Sequence, residues 1–114
     1  MIPQGFAQDW EDHWNSHDLP RILGHYTEDV VFSSRKAVPL TGSGTLRGKR
    51  ALASYWQAAL ENQPDLRFKT TRVFVGHDIL VITYTNHRNI KAAETLHFND
   101  AGLVWQASAS HAET

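Results

Sequence analysis

The hydrophobic pattern of this 114-residue chain changes its period at Pro64, and this change limits the folds open to it. Before Pro64, large apolar side chains recur every three or four residues, which is typical of amphipathic helices. After Pro64, runs rich in Val, Ile, Thr, Phe and Tyr are separated by short polar breaks, which is typical of strands joined by hairpins. Helices first and strands last predict an α+β fold whose helices pack on one face of a curved antiparallel sheet.

Three helices are predicted in the first half of the chain. The first has Phe6, Trp10 and Trp14 along one side. The second follows the capping residue Asp18 and an early proline, and the third is the most regular and ends before Pro64. Helices are expected over residues 6–17, 19–26 and 48–63, with a strand over 30–32 and a loop over 39–44.

Four strands are predicted in the second half. In the second of them the alternation is undecided, because either the even-numbered or the odd-numbered residues make a credible inner row. In the fourth, we expect Trp105, Ala107 and Ala109 to face the helices, since this phase groups the large ring with apolar neighbours. The strands are expected over residues 66–75, 79–85, 90–98 and 103–110.

Glu94 interrupts the apolar row of the third predicted strand. Side chains alternate between the two faces of a strand, so Glu94 shares a face with Ala92, Leu96 and Phe98. An unpaired polar group on a buried face costs about 1–3 kcal/mol. Glu94 should therefore be hydrogen-bonded, protonated or directed into a cavity. The alternative is that the strand twists or lies at an edge, so that the carboxylate reaches water.

The composition excludes several classes of function. With a formal net charge of −1 and a pI near 6.6, the chain has no overall field to hold a phosphate backbone, so no nucleic acid partner is expected. The absence of cysteine removes disulfides, thiolate catalysis and thiolate metal sites. No apolar run is long enough for a membrane span, and the start lacks a signal-peptide pattern. We expect one domain over residues 1–114, located in the cytoplasm and not at a membrane.

The chain is rich in rings, with four tryptophans, three tyrosines and five phenylalanines. Rings at helical spacing first fill a core, but as a set they also favour a pocket for an apolar ligand. His13 and His17 lie four residues apart, a spacing that can place two imidazoles on one metal ion. No third ligand is suggested nearby, so we expect hydrogen bonds from these histidines and neither a metal nor another cofactor.

Five segments carry a resemblance that covers most of the chain: Trp14–Leu19, Tyr26–Phe32, Leu46–Leu52, Ala92–Glu94 and Phe98–Val104. They resemble the nuclear transport factor 2-like superfamily, and within it the SnoaL-like and ketosteroid-isomerase-like branch. The resemblance implies a cone-shaped roll of the cystatin-like kind, with three N-terminal helices on the concave face of the sheet and an apolar pocket. That scaffold hosts isomerases, cyclases, dehydratases, hydrolases, binding proteins and transport adaptors, so it does not by itself determine a reaction.

We compared the sequence with the isomerase branch position by position. Two of that branch's functional residues are replaced in this chain, and a third is matched by an acid. The branch's general-base aspartate falls on Ser34, which cannot remove a carbon-bound proton unaided, so the standard ketosteroid isomerase mechanism is not expected. Its oxyanion tyrosine falls on Trp10, whose indole N–H can donate a hydrogen bond but cannot ionise. Its second acid, which works as a protonated donor in an apolar site, falls on Glu94.

These observations favour a protein that handles a small molecule in an apolar pocket. We expect acid/base chemistry of the isomerase, cyclase or dehydratase type, or selective binding, on a small hydrophobic carbonyl-bearing ligand. The alternatives are a non-catalytic ligand-binding protein and a dimeric protein-interaction module of the same fold. Glu94 is the predicted catalytic residue, and the predicted ligand-binding residues are Trp10, Trp14, Phe32, Ser34, Trp56, Leu96, Phe98 and Trp105.

A homodimer is also expected. A sheet with helices on one side only leaves its other face in need of cover, and a second copy of the chain can supply it. The residues expected on that open face are Tyr84, Thr95, His97 and Val104.

Overall fold

The computed structural model of the protein describes residues 1–113. It is an α+β roll, which confirms the predicted fold class: helices pack on the inner face of one curved six-stranded sheet. The strands lie in the order β2-β1-β6-β5-β4-β3, as numbered below. The elements are α1 (Phe6–Ser16), α2 (Leu19–Leu23), β1 (Tyr26–Ser33), a 3₁₀ turn (Arg35–Ala37), α3 (Val38–Thr41), β2 (Thr45–Arg47), α4 (Lys49–Asn62), β3 (Lys69–Val75), β4 (Ile79–Thr85), β5 (Lys91–Phe98) and β6 (Val104–His111).

The first helix, α1, forms where the apolar spacing predicts it. Phe6, Trp10 and Trp14 recur every fourth residue and are all buried. The helix ends at His17, whose backbone is left-handed with a φ of 60°. Since a left-handed residue interrupts the helical hydrogen bonds, the apolar stripe stops there and the chain turns.

The second helix, α2, is shorter than predicted. The Asp18 carboxylate accepts a hydrogen bond from the backbone N–H of Arg21 and so caps its first turn. The helix ends at Leu23, and Tyr26 opens β1 instead of closing the helix. Tyr26 is nevertheless buried, because β1 directs its side chain to the inner face of the sheet.

The third predicted helix corresponds to α4 and is confirmed near its predicted bounds. It follows Gly48, whose φ of 90° favours glycine, and it buries Leu52, Tyr55 and Trp56. The loop predicted over residues 39–44 was wrong in part, since its first half belongs to the one-turn helix α3. A proline in the first turn of α3 suits a helix start, because its missing N–H would have no helical partner there.

One strand pair joins the two halves of the chain. β1, from the helical half, runs parallel to β6, and Phe32 lies opposite Ala107. The other four neighbouring pairs are antiparallel. The sheet is therefore mixed at one junction, and the first strand of the chain lies beside the last.

The inner face of the sheet is set by strict alternation in β4 and β5. In β5 the even-numbered residues from 92 to 98, Glu94 among them, are buried, as predicted. In β4 the even-numbered row is also buried, which decides the alternation that the sequence left open. Tyr84 belongs to this inner row, so its expected place on the open face was wrong. Thr95 and His97 do lie on the other face.

The predicted phase of β6 was wrong at its start. Phe98 lies opposite Val104 and His97 opposite Gln106, so Trp105 is an extra residue without a cross-strand partner. Such a bulge reverses the alternation locally. As a result Val104 is fully buried, whereas the Trp105 side chain is 44% exposed on the outer face. From residue 107 onward the predicted alternation is observed, because the extra residue lies before this point and the register is regular after it.

The core lies between the helices and the inner face, and much of it is aromatic. Trp10 stacks on Phe68 with ring centroids 5.4 Å apart, and Trp14 meets Trp56 edge-on at 5.0 Å. Asn15 fixes this corner: its amide donates to the Phe68 carbonyl at 2.9 Å and accepts from the Phe68 N–H at 2.7 Å. No helix within residues 1–113 is long and apolar enough to cross a membrane.

Because of the bulge, replacing the smaller of two adjacent side chains, Val104, should lower the free energy of unfolding more than replacing the larger one, Trp105. Val104→Ala should lower the free energy of unfolding by about 2 kcal/mol, because it removes fully buried apolar area. Trp105→Ala should lower it by less than about 1 kcal/mol although it removes many more atoms, since that ring is partly in solvent.

Urea unfolding of both variants at two protein concentrations measures this and separates folding from association. A larger loss for Trp105→Ala at both concentrations would contradict the bulge and restore the phase predicted from the sequence.

Candidate functional site

A cavity of about 400 Å³ lies between the helices and the inner face of the sheet. This volume is in the range of small-molecule sites, about 300–1,000 Å³. α1 contributes Trp10 and Trp14 to its wall, α4 contributes Trp56, and β5 contributes Glu94. The cavity therefore combines side chains from both halves of the chain, which only the folded roll brings together.

Most of the predicted site residues line this cavity. All of them are buried, and none is more than 5% exposed. Their common placement was expected from the resemblance and from strand alternation, whereas a role in ligand binding stays a prediction. The lining residues among the predicted set are Trp10, Trp14, Phe32, Ser34, Trp56 and Glu94.

Three predicted ligand-binding residues lie elsewhere. Leu96 and Phe98 follow Glu94 on the inner face, but they are buried in the core beyond the cavity, where Phe98 meets Phe6 edge-on at 4.9 Å. Trp105 lies on the outer face beside His97, with ring centroids 5.7 Å apart, because of the bulge in β6. These three residues therefore do not line this cavity, and their role in ligand binding stays a prediction.

The sequence reasoning missed a second group of lining residues. Phe68 and Tyr84 complete the aromatic wall, and Tyr84 was one member of the row left undecided in β4. The others come from α3, α4, strands and turns, and the positions of the turn residues around a cavity are not revealed by any local pattern. The polar and charged members of this group are Lys36, Asn62, Gln63, Asn86, Arg88 and His111.

Glu94 is a buried acid without a counter-charge. Its side chain is 4% exposed and forms no ion pair with any residue from 1 to 113. Its polar contact is a long one, with the Tyr84 hydroxyl 3.5 Å from Oε2. Burial raises the pKa of Glu94 to about 8, and the hydrogen bond from Tyr84 opposes this only in part. At neutral pH Glu94 is therefore mainly a protonated acid that can donate a hydrogen bond.

Three tyrosines, Tyr26, Tyr55 and Tyr84, lie near enough to Glu94 for its charge to raise their pKa values. Burial raises the pKa of Tyr84 above its ordinary value, and the charge of ionised Glu94 raises it further. The pKa of Tyr26 is raised in the same way and in the same order of causes. Burial also raises the pKa of Tyr55, although a hydrogen bond with Ser34 opposes it. All three hydroxyls thus stay neutral, so they serve as donors or acceptors and not as bases.

The tryptophan N–H groups at the cavity wall are short of acceptors. The Nε1 atoms of Trp10 and Trp14 are both buried, and neither forms a hydrogen bond with any described residue. Burial and then Glu94 raise the pKa of Tyr26, and the neighbouring Trp10 N–H opposes them as the smallest of the three effects. A buried donor without an acceptor costs about 1–3 kcal/mol, and a ligand carbonyl could supply the missing partner.

Ser34 has a structural task beside the cavity. It is 5% exposed, and its hydroxyl accepts a hydrogen bond from the Lys36 N–H at 3.2 Å, which caps the 3₁₀ turn. This hydrogen bond does not give Ser34 the basicity that the aspartate of the isomerase branch would have. A base for proton removal has to come from another residue.

The first-helix histidines form hydrogen bonds, as expected. His17 Nε2 lies 2.7 Å from the Leu66 carbonyl oxygen, and His13 Nδ1 lies 2.8 Å from His25 Nε2. Both imidazoles therefore tie α1 to neighbouring segments. Within the described part of the chain, no group of three or more potential metal-ligating side chains is close enough to hold an ion.

The pKa of Glu94 makes a prediction about stability. Because the folded-state pKa is about 8 and the unfolded one is near 4.3, folding favours the protonated acid. Wild-type stability should thus fall as pH rises from about 5 to 8, by a few kcal/mol at most, and level off above pH 8. Glu94→Gln removes the titrating group, so its stability should exceed that of wild type increasingly over this pH range.

Urea unfolding from pH 5 to 9 measures this difference, with Glu61→Gln on the exposed side of α4 as a matched control that should follow wild type. A carbon-13 carboxyl titration gives the pKa directly. A midpoint for Glu94 at or below 4.3 would mean a solvated carboxylate and contradict the assignment of an apolar environment.

Comparison with known proteins agrees with this architecture. Among curated proteins none matches the sequence. A SnoaL-like protein of unknown function from Burkholderia thailandensis is 39% identical, with 99% of this chain and 100% of that chain covered and a TM-score of 0.89. A protein from Sinorhizobium meliloti, described as a candidate polyketide cyclase, is 13% identical over 96% of this chain and 95% of its own, with a TM-score of 0.78.

A third similar structure is AclR from Streptomyces galilaeus, described as a candidate hydroxylase. It is 18% identical over 96% of this chain and 87% of its own, with a TM-score of 0.76. At such identities the last two likenesses concern the fold alone. The family model of the SnoaL-like domain matches residues 7–107, nearly the whole chain. With this match and the 39% identity to the Burkholderia protein, the chain belongs to the SnoaL-like domain family.

Proposed function

We propose that the protein acts on a small, mainly apolar, carbonyl-bearing molecule held in the cavity, with Glu94 as the acid. The observation that carries this proposal is the buried Glu94 carboxyl, which has a raised pKa, no counter-charge among the described residues and a position on the wall of an aromatic cavity. Strongly perturbed acids in clefts are characteristic of catalytic sites. The candidate cyclase and hydroxylase of the same fold support small-molecule chemistry in this scaffold in a general way.

Protonated Glu94 would donate a hydrogen bond to the carbonyl oxygen of the ligand. When a proton leaves the adjacent carbon, negative charge develops on that oxygen, and the hydrogen bond strengthens. Transfer of the Glu94 proton to the oxygen gives a neutral enol and leaves Glu94 ionised. If the ligand also has a double bond conjugated with the enol, the base returns the proton to the far carbon of that system while the enol O–H reprotonates Glu94, which completes an isomerisation.

His111 is our candidate for the base that Ser34 cannot be. It ends β6, lines the cavity and lies opposite Ala92, while Glu94 lies opposite Ala109, so the two side chains are diagonal neighbours. Such neighbours lie about 7–8 Å apart, which leaves room for a ligand between them. Burial lowers the pKa of His111, and Lys36 and Arg35 lower it further, so the imidazole is neutral and able to take a proton at pH 7.

Hydrogen exchange tests this proposal without knowledge of the natural substrate. In deuterated water, the wild-type protein should accelerate exchange of the α-hydrogens of 2-tetralone, a small bicyclic ketone, as followed by proton NMR. Glu94→Ala and His111→Ala should each lower the rate about 10²–10⁴-fold, the usual contribution of a general acid or base. The rate should rise as pH passes the lowered pKa of His111, below 6.5, and fall above about pH 8 as Glu94 ionises.

The controls are Glu61→Gln and His77→Gln, which alter an exposed acid and an exposed histidine that do not line the cavity and should leave the exchange rate unchanged. If the wild-type protein binds ketones tightly but never accelerates exchange, catalysis is contradicted and the non-catalytic binding protein is favoured instead.

We also propose that two copies of the chain associate through the outer face of the sheet. Trp105 is 44% exposed there, and Phe74 is 53% exposed. Phe74 lies opposite Val81 in register, so both belong to the outer face, and His97 packs against the Trp105 ring. An apolar surface of this kind on a helix-free sheet face favours a second sheet as its cover.

Trp105→Ser should convert the dimer to a monomer, because it removes the largest exposed ring of this face. Sedimentation velocity at micromolar concentration measures the change. Val75→Ser is the matched control, since Val75 is 74% exposed but alternates to the other side of β3, and it should leave the mass unaltered. A wild-type monomer at high micromolar concentration would remove the proposal.

A further inference from the structure

The permanently charged residues of the cavity lining are basic. Lys36 and Arg88 line the cavity beside the neutral imidazole of His111, and among the described lining residues Glu94 is the only acid. Glu94 is buried, whereas Lys36 and Arg88 are exposed, so the basic side chains lie at the mouth and the acid lies inside. The whole chain has a net charge of −1, so this local positive charge runs against the overall balance.

The basic side chains at the mouth are not neutralised by the protein. Neither Lys36 nor Arg88 forms an ion pair within residues 1–113. Asp65 adjoins the lining residue Leu66, but its carboxylate lies 3.5 Å from His87 Nε2 and forms no ion pair with Lys36 or Arg88. Two permanent positive charges therefore face the entrance without a negative partner from the described chain.

The turn that carries Arg88 is held in place by hydrogen bonds. The Asn86 side-chain oxygen accepts hydrogen bonds from the Arg88 N–H at 2.8 Å and from the Ile90 N–H at 3.0 Å. On the other side, Ser34 fixes the backbone of Lys36 through the cap of the 3₁₀ turn. The backbone is thus fixed at both positions, which lowers the entropic cost of using these side chains for binding.

The pKa of His111 is affected by the same positive charge at the mouth. Burial lowers its pKa first, and the charges of Lys36 and Arg35 lower it further. Its Nδ1 atom is buried and has no hydrogen-bond partner among the described residues. An anion at the mouth would offset the positive charge that lowers the pKa of His111.

We propose that the mouth of the cavity, formed by Lys36 and Arg88, is a subsite for an oxyanion such as a carboxylate or sulfonate. The ligand is then an amphipathic anion, with apolar rings inside the aromatic cavity and its charged group at the entrance. This inference rests on the proposed ligand site and adds the chemical class of the ligand. The basic groups orient the ligand, because only the uncharged end can enter the part of the cavity that holds Glu94.

A matched pair of fluorescent probes tests this inference. 8-Anilinonaphthalene-1-sulfonate and N-phenyl-1-naphthylamine share the same rings, but only the first carries an anionic group. The sulfonate should bind about tenfold more tightly to the wild-type protein at low salt, and the preference should shrink at high ionic strength. Fluorescence titration of each probe gives the two dissociation constants.

Variants identify the groups responsible for this preference. Lys36→Gln and Arg88→Gln should each weaken sulfonate binding about threefold and leave binding of the uncharged probe unchanged, as expected for exposed charge pairs. The controls are Lys69→Gln and Arg50→Gln, which remove exposed basic groups that do not line the cavity and should change neither constant. Ala59→Trp, which fills the cavity from α4, should abolish binding of both probes.

Each outcome bears on a different claim. Equal affinity for the two probes, or equal losses in the control variants, overturns the anion subsite and leaves the apolar ligand site standing. If neither probe binds, or if Ala59→Trp still binds both, the proposed ligand site itself fails, and the subsite fails with it.

Discussion

The parallel pairing of β1 with β6 is the contact on which the rest of the molecule depends. It joins the helical half of the chain to the strand half, with Phe32 opposite Ala107. α2 precedes β1 and α4 follows β2, so this one pairing brings both helices over the inner face of the sheet. Without it β3 to β6 would form a meander without α2 and α4 over its inner face. The cavity is the space that this closure leaves between the two halves.

The sequence predicted the fold well where one period governs a whole element. α1 and α4 follow the helical spacing of their large rings, and the row containing Glu94 follows strict alternation. The prediction failed where a single residue changes the count, as at Trp105, because a bulge leaves no local signature and shifts only part of a strand. β2 was missed as well, since three residues are too few for any period.

The candidate site was predictable in its interior and not at its mouth. Glu94 was identified because a carboxylate in an apolar row contradicts its surroundings, a conflict visible in the sequence itself. Trp10 and Trp14 were identified by their helical spacing. Arg88 and His111 were missed, because they come from a turn and a strand end that only the curvature of the sheet brings to the same opening. A local sequence pattern describes one helix or strand, whereas the mouth of the cavity is formed by several elements together.

The exposure of Trp105 divides the tryptophans of this protein into two optical classes. Trp10, Trp14 and Trp56 line the cavity and are at most 5% exposed, while Trp105 is the fourth tryptophan and faces outward. In a single copy of the chain, a dissolved quencher reaches the outer indole by collision more readily than the inner three, and association through the outer face would shield that indole. The emission of the unlabelled protein therefore separates events inside the roll from events on its outer surface, and no extrinsic dye is needed to tell them apart.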